Sequence, residues 1–400
     1  DNNYVGDVKE RFNQNWTDFK GDWNISDSNK FFARYSYFNS DLTNPPLFGI
    51  AGGPTQGGLS PEVATSDAQH AALNYLHTFS PTLLTEARAG VARFNLDAFQ
   101  FDSGLKTNDQ VGIPGINTGS PLTGGLAGIN IGGPVGGFAM GVSSGVGIPR
   151  LDTETTFQFV NNWSKMSGSH QMRWGADVRR YRFDFESVNA SSRGNYTFCQ
   201  SATGNPNQSS SGLGLGTFLL GGTCSFDRAI FTQRPAERQT NLGLYVQDIW
   251  RINNRLTVNY GIRWDYFTPV TSPKKGGLAN FDPDTGDILL AGLGNVSNSA
   301  DVTTPLNDFA PRVGLAYKVT QTTVLRAGLG RSFFSSGYDA TFYHLTSFYP
   351  IIAQQQISQT NLYRTVFPIN QAPPNAAPPE LPSSGRLKAP NGTVLKTRPL

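Results

Sequence analysis

Short and long connections alternate between the extended segments of this chain, and no other feature restricts its fold as strongly. Apolar and polar residues that alternate with period two predict β-strands, as where Leu256 and Val258 oppose Thr257 and Asn259. Ten strands are predicted, at 15–25, 30–40, 68–79, 83–94, 155–163, 171–180, 239–250, 256–266, 310–319 and 322–333. The short turns between them lie at 26–29, 80–82, 165–169, 251–254 and 319–322. The long loops lie at about 41–66, 95–152, 188–237 and 269–309.

Four long loops at regular places need a cause, because loops above about 15 residues are uncommon in compact domains. Outer-membrane β-barrels combine short periplasmic turns, long extracellular loops and strands of about 9–11 residues across the bilayer. The predicted fold class is therefore all-β: an antiparallel transmembrane β-barrel segment of ten strands in five hairpins. Aromatic residues near strand ends fit interfacial girdles, and they are Tyr35, Tyr37, Trp163, Trp250, Trp264 and Tyr266. The alternative is a soluble sandwich, propeller or β-solenoid, although sandwich strands usually have about five or six residues.

Composition argues against several other classes of protein. The 400 residues include 44 glycines and are 12% aromatic, which is high for a soluble helical protein, while only 15% are charged. The 32 basic residues nearly balance the 29 acidic ones, which leaves a net charge of only +3. No nucleic-acid-binding surface is therefore predicted. No apolar run of about 18 residues predicts a membrane-spanning helix.

The loops carry three local signals. Residues 110–149 have no charged side chain and many glycines, which predicts an irregular external loop, with a flexible linker as the alternative. Residues 212–222 predict a short helical turn. Cys199 and Cys224 lie in the same loop, so a disulfide is predicted, closing about 25 residues and contributing roughly 3 kcal/mol. Two independent buried thiols are the alternative.

The apolar phase of strand 171–186 changes near Arg180. Apolar residues have even numbers before it, and Tyr181, Phe183 and Phe185 follow with odd numbers. A β-bulge would produce this change. The alternative is that the strand has left the membrane there, so that its pattern no longer follows lipid.

Motifs for covalent or metal chemistry lack their structural context. The GxSxG match at 141–145 lies in the glycine-rich loop, whereas a nucleophile elbow joins a strand to a helix. The segment 281–287 looks faintly like a calcium loop but, counted from Asp282, lacks the glycine at the sixth position and the glutamate at the twelfth. A tight turn between two short strands outside the membrane is therefore predicted. The scattered histidines are His70, His77, His170 and His344. We predict no enzyme activity, catalytic residue, cofactor site or metal site.

Several stretches carry a resemblance to a known family. They are NLGLYVQDIW at 241–250, RLTVNYGIRWD at 255–265, FAPRVGLAY at 309–317, TVLRAG at 323–328, FFARYSY at 31–37 and FLLG at 218–221. In order and spacing they resemble the barrel of TonB-dependent outer-membrane receptors, particularly the Oar-like group, over about 12–345. The resemblance implies a barrel of about 22 strands, plugged by an N-terminal domain and energised by TonB. The sequence departs from the pattern, with no TonB box, plug or terminal aromatic strand, so an internal barrel segment is expected.

The expected domains are a transmembrane barrel segment at 1–345 and an irregular, proline-rich extracellular loop or tail at 346–400. Since the first predicted strand enters a short turn and the last leaves one, both ends of the chain are expected outside the cell. An open sheet should then form, whose edges pair with remaining barrel strands or other chains, because lipid cannot satisfy unpaired backbone groups.

The expected function is a bacterial outer-membrane receptor that takes up a bulky ligand, such as a siderophore or oligosaccharide. Its partners would be outer-membrane lipid, the unknown ligand and the TonB system, reached through other parts of the parent. Loop candidates for ligand contact are Arg228, Arg234, Tyr338 and Tyr343, with ordinary loop anchoring as the alternative. A second function is a surface structural protein, such as an adhesin or filament subunit, built from barrel-derived hairpins. An outer-membrane enzyme would need a Ser/His/Asp set, which the sequence does not assemble.

The alternation at 256–266 yields a first testable prediction. Tyr260 should face lipid and Asn259 the lumen, so Tyr260→Arg should cost roughly 2–4 kcal/mol of folding free energy if the site is near mid-membrane. Asn259→Arg is the matched control and should cost much less. Refolding into liposomes measures both, and equal defects would contradict the assignment of the two faces.

Overall fold

The computed structural model describes residues 6–52, 62–133, 138–141, 148–187, 192–208, 211–335, 345–346 and 349–388. Its strands are β1 (Arg11–Ser26), β2 (Asn29–Asn44), β3 (Glu62–Ser80), β4 (Leu83–Gln100), β5 (Gly128–Ile131), β6 (Phe138–Met140), β7 (Arg150–Ser167), β8 (His170–Ser187), β9 (Asn195–Phe198), β10 (Gly222–Thr223), β11 (Ser225–Phe231), β12 (Ala236–Arg251), β13 (Leu256–Phe267), β14 (Ala279–Asp282), β15 (Asp287–Leu290), β16 (Asp308–Lys318), β17 (Val324–Gly330), β18 (Ile352–Ser358), β19 (Phe367–Pro368) and β20 (Arg386–Lys388). The α-helices are α1 (Thr107–Gln110) and α2 (Gly214–Leu219), and 3₁₀ turns lie at Gly49–Ala51 and Ser201–Thr203. Neither described helix is long and apolar enough to cross a bilayer.

One ten-stranded sheet contains all ten predicted strands. Its order is β1-β2-β3-β4-β7-β8-β12-β13-β16-β17, and every neighbouring pair is antiparallel. Several strands are longer than predicted, up to the 19 residues of β3, because strand pairing continues past the length that lipid requires. The loops are correspondingly shorter than the predicted ranges.

The sheet separates its short turns from its long connections. Because neighbouring strands run in opposite directions, the turns that close the five hairpins lie at one end of the sheet. The connections between hairpins lie at the other end, which confirms the predicted topology. Among the described strands the sheet is open, since β1 pairs with β2 and β17 with β16 but not with each other. Every residue of these two edge strands is exposed.

Register divides the sheet into an apolar face and a polar face. One row across β7, β8, β12, β13 and β16 joins Trp163, Trp174, Val246, Ile262 and Pro311. Directly opposed residues share a face, so this row belongs to the apolar one. The next row lies on the opposite, polar face and joins Asn162, Gly175, Tyr245, Arg263 and Ala310. The predicted division of 256–266 into two faces therefore agrees with the register.

Aromatic rings form bands near both ends of the apolar face. Phe79 stacks on Trp163 at 5.5 Å between ring centroids, and Trp163 stacks on Trp174 at 6.1 Å. These rings lie near the short turns. Toward the long loops, Trp264 and Tyr266 stack at 6.2 Å. Two aromatic bands on one face are the arrangement of interfacial girdles.

The long connections, together with β18 from the segment that follows β17, form a second, smaller sheet of order β18-β11-β9-β5-β6. Its buried core includes Tyr196, Phe198, Phe226 and Phe367, which are at most 8% exposed. The expectation of an irregular 110–149 is wrong where β5 and β6 form. The expectation of an irregular 346–400 is likewise wrong at β18, which pairs with β11. These short segments are stabilised by partners far along the chain, which local alternation does not reveal.

Other loop predictions are confirmed. Cys199 and Cys224 form a disulfide, and α2 lies within 212–222. The segment 281–287 is the turn between β14 and β15. Its Asp287 is engaged by the ammonium of Lys388 at 2.6 Å, and this hydrogen bond lowers the pKa of the carboxyl group.

The phase change near Arg180 is not a β-bulge. The pairing of β7 with β8 runs without a register shift from Ser167 and His170 to the far end of both strands. Phe183 and Phe185 are only 4% and 3% exposed. The strand therefore stays regular. Its apolar side chains change from the apolar face to the polar face at the long-loop end, where these positions of the polar face are buried.

The core of the smaller sheet yields a prediction. Phe226 is fully buried, 4.8 Å from the ring of Tyr196, so Phe226→Ala should destabilise this sheet by about 3–5 kcal/mol. Hydrogen exchange of the β11 amides measures the effect. Leu219→Ala is the control in the same connection, because Leu219 is 74% exposed and its truncation should change stability by about 0.5 kcal/mol or less. Equal loss of protection in both variants would contradict this packing.

Candidate functional site

The polar face of the main sheet lines two adjoining cavities of about 430 Å³ and 550 Å³. Both are lined by Asp177, Arg179, Arg263 and Arg312, which come from β8, β13 and β16. Arg173 of β8 lines the larger cavity as well. We call Arg173, Arg179, Arg263 and Arg312 the arginine wall. Charged groups that converge on a cavity make this surface the candidate site.

Strand register sets the spacing of the arginine wall. Arg173 and Arg312 lie in one row, separated by Gln247 and Gly261. Three strand spacings of about 4.8 Å place their backbones roughly 14 Å apart. Arg263 is two residues beyond Gly261 on the same face, and it therefore lies between them but nearer the long-loop end.

Carboxylates hold two of these arginines. The Nε of Arg263 donates to both carboxylate oxygens of Asp265, at 2.8 and 3.0 Å. The Nη2 of Arg179 lies 2.9 Å from Oδ2 of Asp177. Each pair is two residues apart on one strand, the spacing that places both side chains on the same face. Asp265 is 6% exposed, so its arginine is also the partner that offsets the cost of burying its charge.

Arg173 and Arg312 differ from the other two arginines in having no carboxylate partner. Both are exposed, as Arg179 is, but among the described residues neither forms an ion pair. The cavity linings thus contain four guanidinium groups and two carboxylates, and Asp308, directly opposite Asp265, adds a third carboxylate to this part of the polar face. The local excess is positive even though the whole chain is close to neutral.

Glycines make room for the long side chains of the wall. A Cβ atom on Gly243 would lie 2.0 Å from Nη2 of Arg263, and one on Gly261 would lie 2.6 Å from Cβ of Gln247. Real Cβ atoms do not approach other atoms so closely. The absence of a side chain at Gly243 therefore allows the guanidinium group of Arg263 to lie across β12.

The loop residues suggested by the sequence do not join this site. Arg228 donates from Nε to Oε1 of Gln355 at 2.7 Å and from Nη2 to the carbonyl of Pro374 at 3.2 Å. Arg234 donates to the carbonyl of Leu151 at 3.4 Å. These contacts are loop anchoring. Tyr338 and Tyr343 lie outside the described residues, as do positions 142–145 of the GxSxG match.

Metal chemistry has no candidate centre among the residues described. No group of three or more His, Cys, Asp or Glu side chains there is arranged to hold a metal ion. The arginine wall itself was missed from the sequence. Its signal was present in the alternation that put Arg173, Arg179 and Arg263 on polar faces, but the convergence of several strands requires the register.

A protein-family model described as the outer membrane beta barrel domain matches residues 1–399. A search of curated protein sequences finds no significant match.

Several solved structures resemble the chain at low identity. The copper transporter OprC is 10% identical, with a TM-score of 0.42 over 81% of this chain and 36% of that one. The ferric-catecholate import receptor Fiu from Escherichia coli K12, in its closed form, is 11% identical, with a TM-score of 0.43 over 85% and 48%. BauA, the ferric preacinetobactin receptor from Acinetobacter baumannii, is 11% identical, with a TM-score of 0.36 over 80% and 39%. The chain spans less than half the length of each of these structures.

The contact at Gly243 provides a test of the wall's geometry. Gly243→Ala should displace Arg263 and deprive buried Asp265 of its bidentate partner, at a cost of about 1–3 kcal/mol. Gly314→Ala is the control, because Gly314 also lies on the polar face, opposite Asn259, and its added Cβ would meet a backbone oxygen at an ordinary 3.6 Å. Urea unfolding from detergent micelles compares the two variants. A larger loss at Gly314 would contradict the described position of Arg263.

Proposed function

Because the chain belongs to the outer membrane β-barrel domain family, a family of the bacterial outer membrane, we propose that it forms part of the wall of an energy-coupled import receptor. The receptor would bind a bulky ligand, such as a siderophore or oligosaccharide, and draw energy from the TonB system through other parts of its parent chain. The observation that carries the proposal is the contrast between the two faces of the main sheet. One face is charged and lines two cavities, and the other is apolar and carries two bands of aromatic rings.

The open edges support a wall that is completed by further strands. Each backbone N–H or C=O group left unpaired in lipid costs several kcal/mol, and the exposed strands β1 and β17 each present a row of such groups. Remaining strands of a longer parent, or other chains, would satisfy them. The finished lumen would be wider than that of a barrel closed from ten strands alone, as a bulky ligand requires.

Transport of this kind needs reversible contacts rather than covalent chemistry. Ion-paired arginines on a rigid sheet can hold a ligand without a catalytic group, and the folded loop sheet would contribute a preorganised outer surface. The alternative of a surface adhesin or filament subunit accounts less well for the apolar face and its two aromatic bands. We therefore retain import as the proposed function.

The proposal predicts uptake that depends both on the parent gene and on TonB. Cells would be offered a radiolabelled ferric catecholate, a copper salt and a labelled oligosaccharide as probes. Uptake of one probe should fall to the same low level when the parent gene, tonB or both are deleted, because the two products act in one pathway. A small sugar that enters by diffusion is the control solute.

Two results would contradict the proposal. One is uptake that needs the parent gene but persists without TonB, which would indicate a passive channel. The other is unchanged uptake of all three probes in the gene-deletion strain, combined with loss of cell adhesion, which would favour the surface structural protein.

A further inference from the structure

We propose that the arginine wall binds a polyanionic ligand, one that carries several phosphate, carboxylate or similar oxyanion groups. This inference rests on the proposed import function and narrows its ligand class. It comes from the placement of Arg173, Arg263 and Arg312 around the cavities of the polar face.

The charge balance at the wall favours an anion. Asp177 and Asp265 are already engaged by Arg179 and Arg263. Arg173 and Arg312 remain exposed and outside the ion pairs of the described residues. Concave surfaces with charge of one sign concentrate the field and raise the local concentration of oppositely charged ligands. A guanidinium group also presents a planar fork of donors that matches an oxyanion in bidentate geometry.

The spacing favours several anionic groups on one ligand. Because Arg173 and Arg312 are separated by about 14 Å at the backbone, one small oxyanion would reach only one of them. A ligand about 10 Å across, with charge distributed around it, would contact both and also meet Arg263 between them. The floor between the arginines is formed by Gly261 and Gln247, and the missing side chain at Gly261 leaves space above the strands.

The position of Arg263 is fixed before a ligand arrives. Its Nε is held by both oxygens of Asp265, and its guanidinium group lies over Gly243. Little side-chain entropy then remains to be lost on binding, which improves affinity without added contacts. Arg173 and Arg312, by contrast, supply uncompensated charge, so their substitution should reduce binding most.

Inositol hexakisphosphate is a suitable probe, since it is a compact polyanion of about this size, and uncharged inositol is its control. Binding would be measured by calorimetry at low salt on the full protein, purified in detergent. Arg173→Gln and Arg312→Gln should each weaken binding by about tenfold, since a hydrogen bond to a charged group is typically worth that much or more. The double variant should lose about a hundredfold, and the affinity should fall as salt is raised.

Arg34→Gln is the matched control. Arg34 lies on β2 with its Nε 3.0 Å from both oxygens of Asp18, and its substitution changes the net charge by the same amount as the test substitutions. It should change the affinity less than about threefold. Arg173→Lys and Arg312→Lys retain the positive charge but lack the planar fork of guanidinium donors. They should recover part of the binding that the glutamine variants lose. This recovery separates a lost contact from a folding defect.

Three outcomes would overturn the proposal. They are no binding of the hexakisphosphate to the wild-type protein, equal weakening by Arg34→Gln and Arg173→Gln, or equal binding of uncharged inositol. The import function is tested separately. Binding at the wall without TonB-dependent uptake would refute import but keep the site, whereas uptake without hexakisphosphate binding would refute only the ligand class.

Discussion

Backbone hydrogen bonding in lipid is the constraint on which the rest of this structure depends. A strand in the bilayer has no water to satisfy its N–H and C=O groups, so each must pair with a neighbouring strand. The pairings of the ten-stranded sheet, whose register shifts only beside two of the short turns, satisfy this requirement between its edges. Continuous register in turn keeps every second residue on the same face, and a slip of one residue would reverse the two faces.

The same register that collects apolar residues on one face brings charged residues together on the other. Arg173, Gln247, Gly261 and Arg312 become neighbours across four strands only because three successive strand pairs are in the correct register. The glycines are part of this arrangement, since Gly243 leaves the space in which Arg263 lies. The requirement for pairing in lipid and the geometry of the polar site therefore have one cause.

The sequence predicts those parts of the structure that rest on local pattern. All ten main strands, the positions of their turns, the faces of 256–266, the helix at 214–219 and the hairpin at 281–287 follow from alternation, glycine and turn residues. The smaller sheet does not, because β5 and β9 are short and parallel, and their paired residues are 67 positions apart in the chain. The arginine wall is an intermediate case, since Arg173, Arg179 and Arg263 are placed on their faces by sequence, whereas Arg312 and the convergence of all four depend on register.

The long connections show how residues outside the ten-stranded sheet are held in place without pairing between membrane-spanning strands. Arg193 is fully buried and donates from Nη1 to Asp102 at 2.7 Å and to the carbonyl of Leu126 at 3.0 Å. Burial lowers the pKa of its guanidinium group, while the charge of Asp102 opposes that shift. A buried pair of this kind costs desolvation, and loss of either partner would leave an uncompensated buried charge. It joins the connection after β4 to the connection after β8, as the pairing of β5 with β9 also does. Specific long-range contacts thus hold the long connections in place where no pairing within the ten-stranded sheet does so.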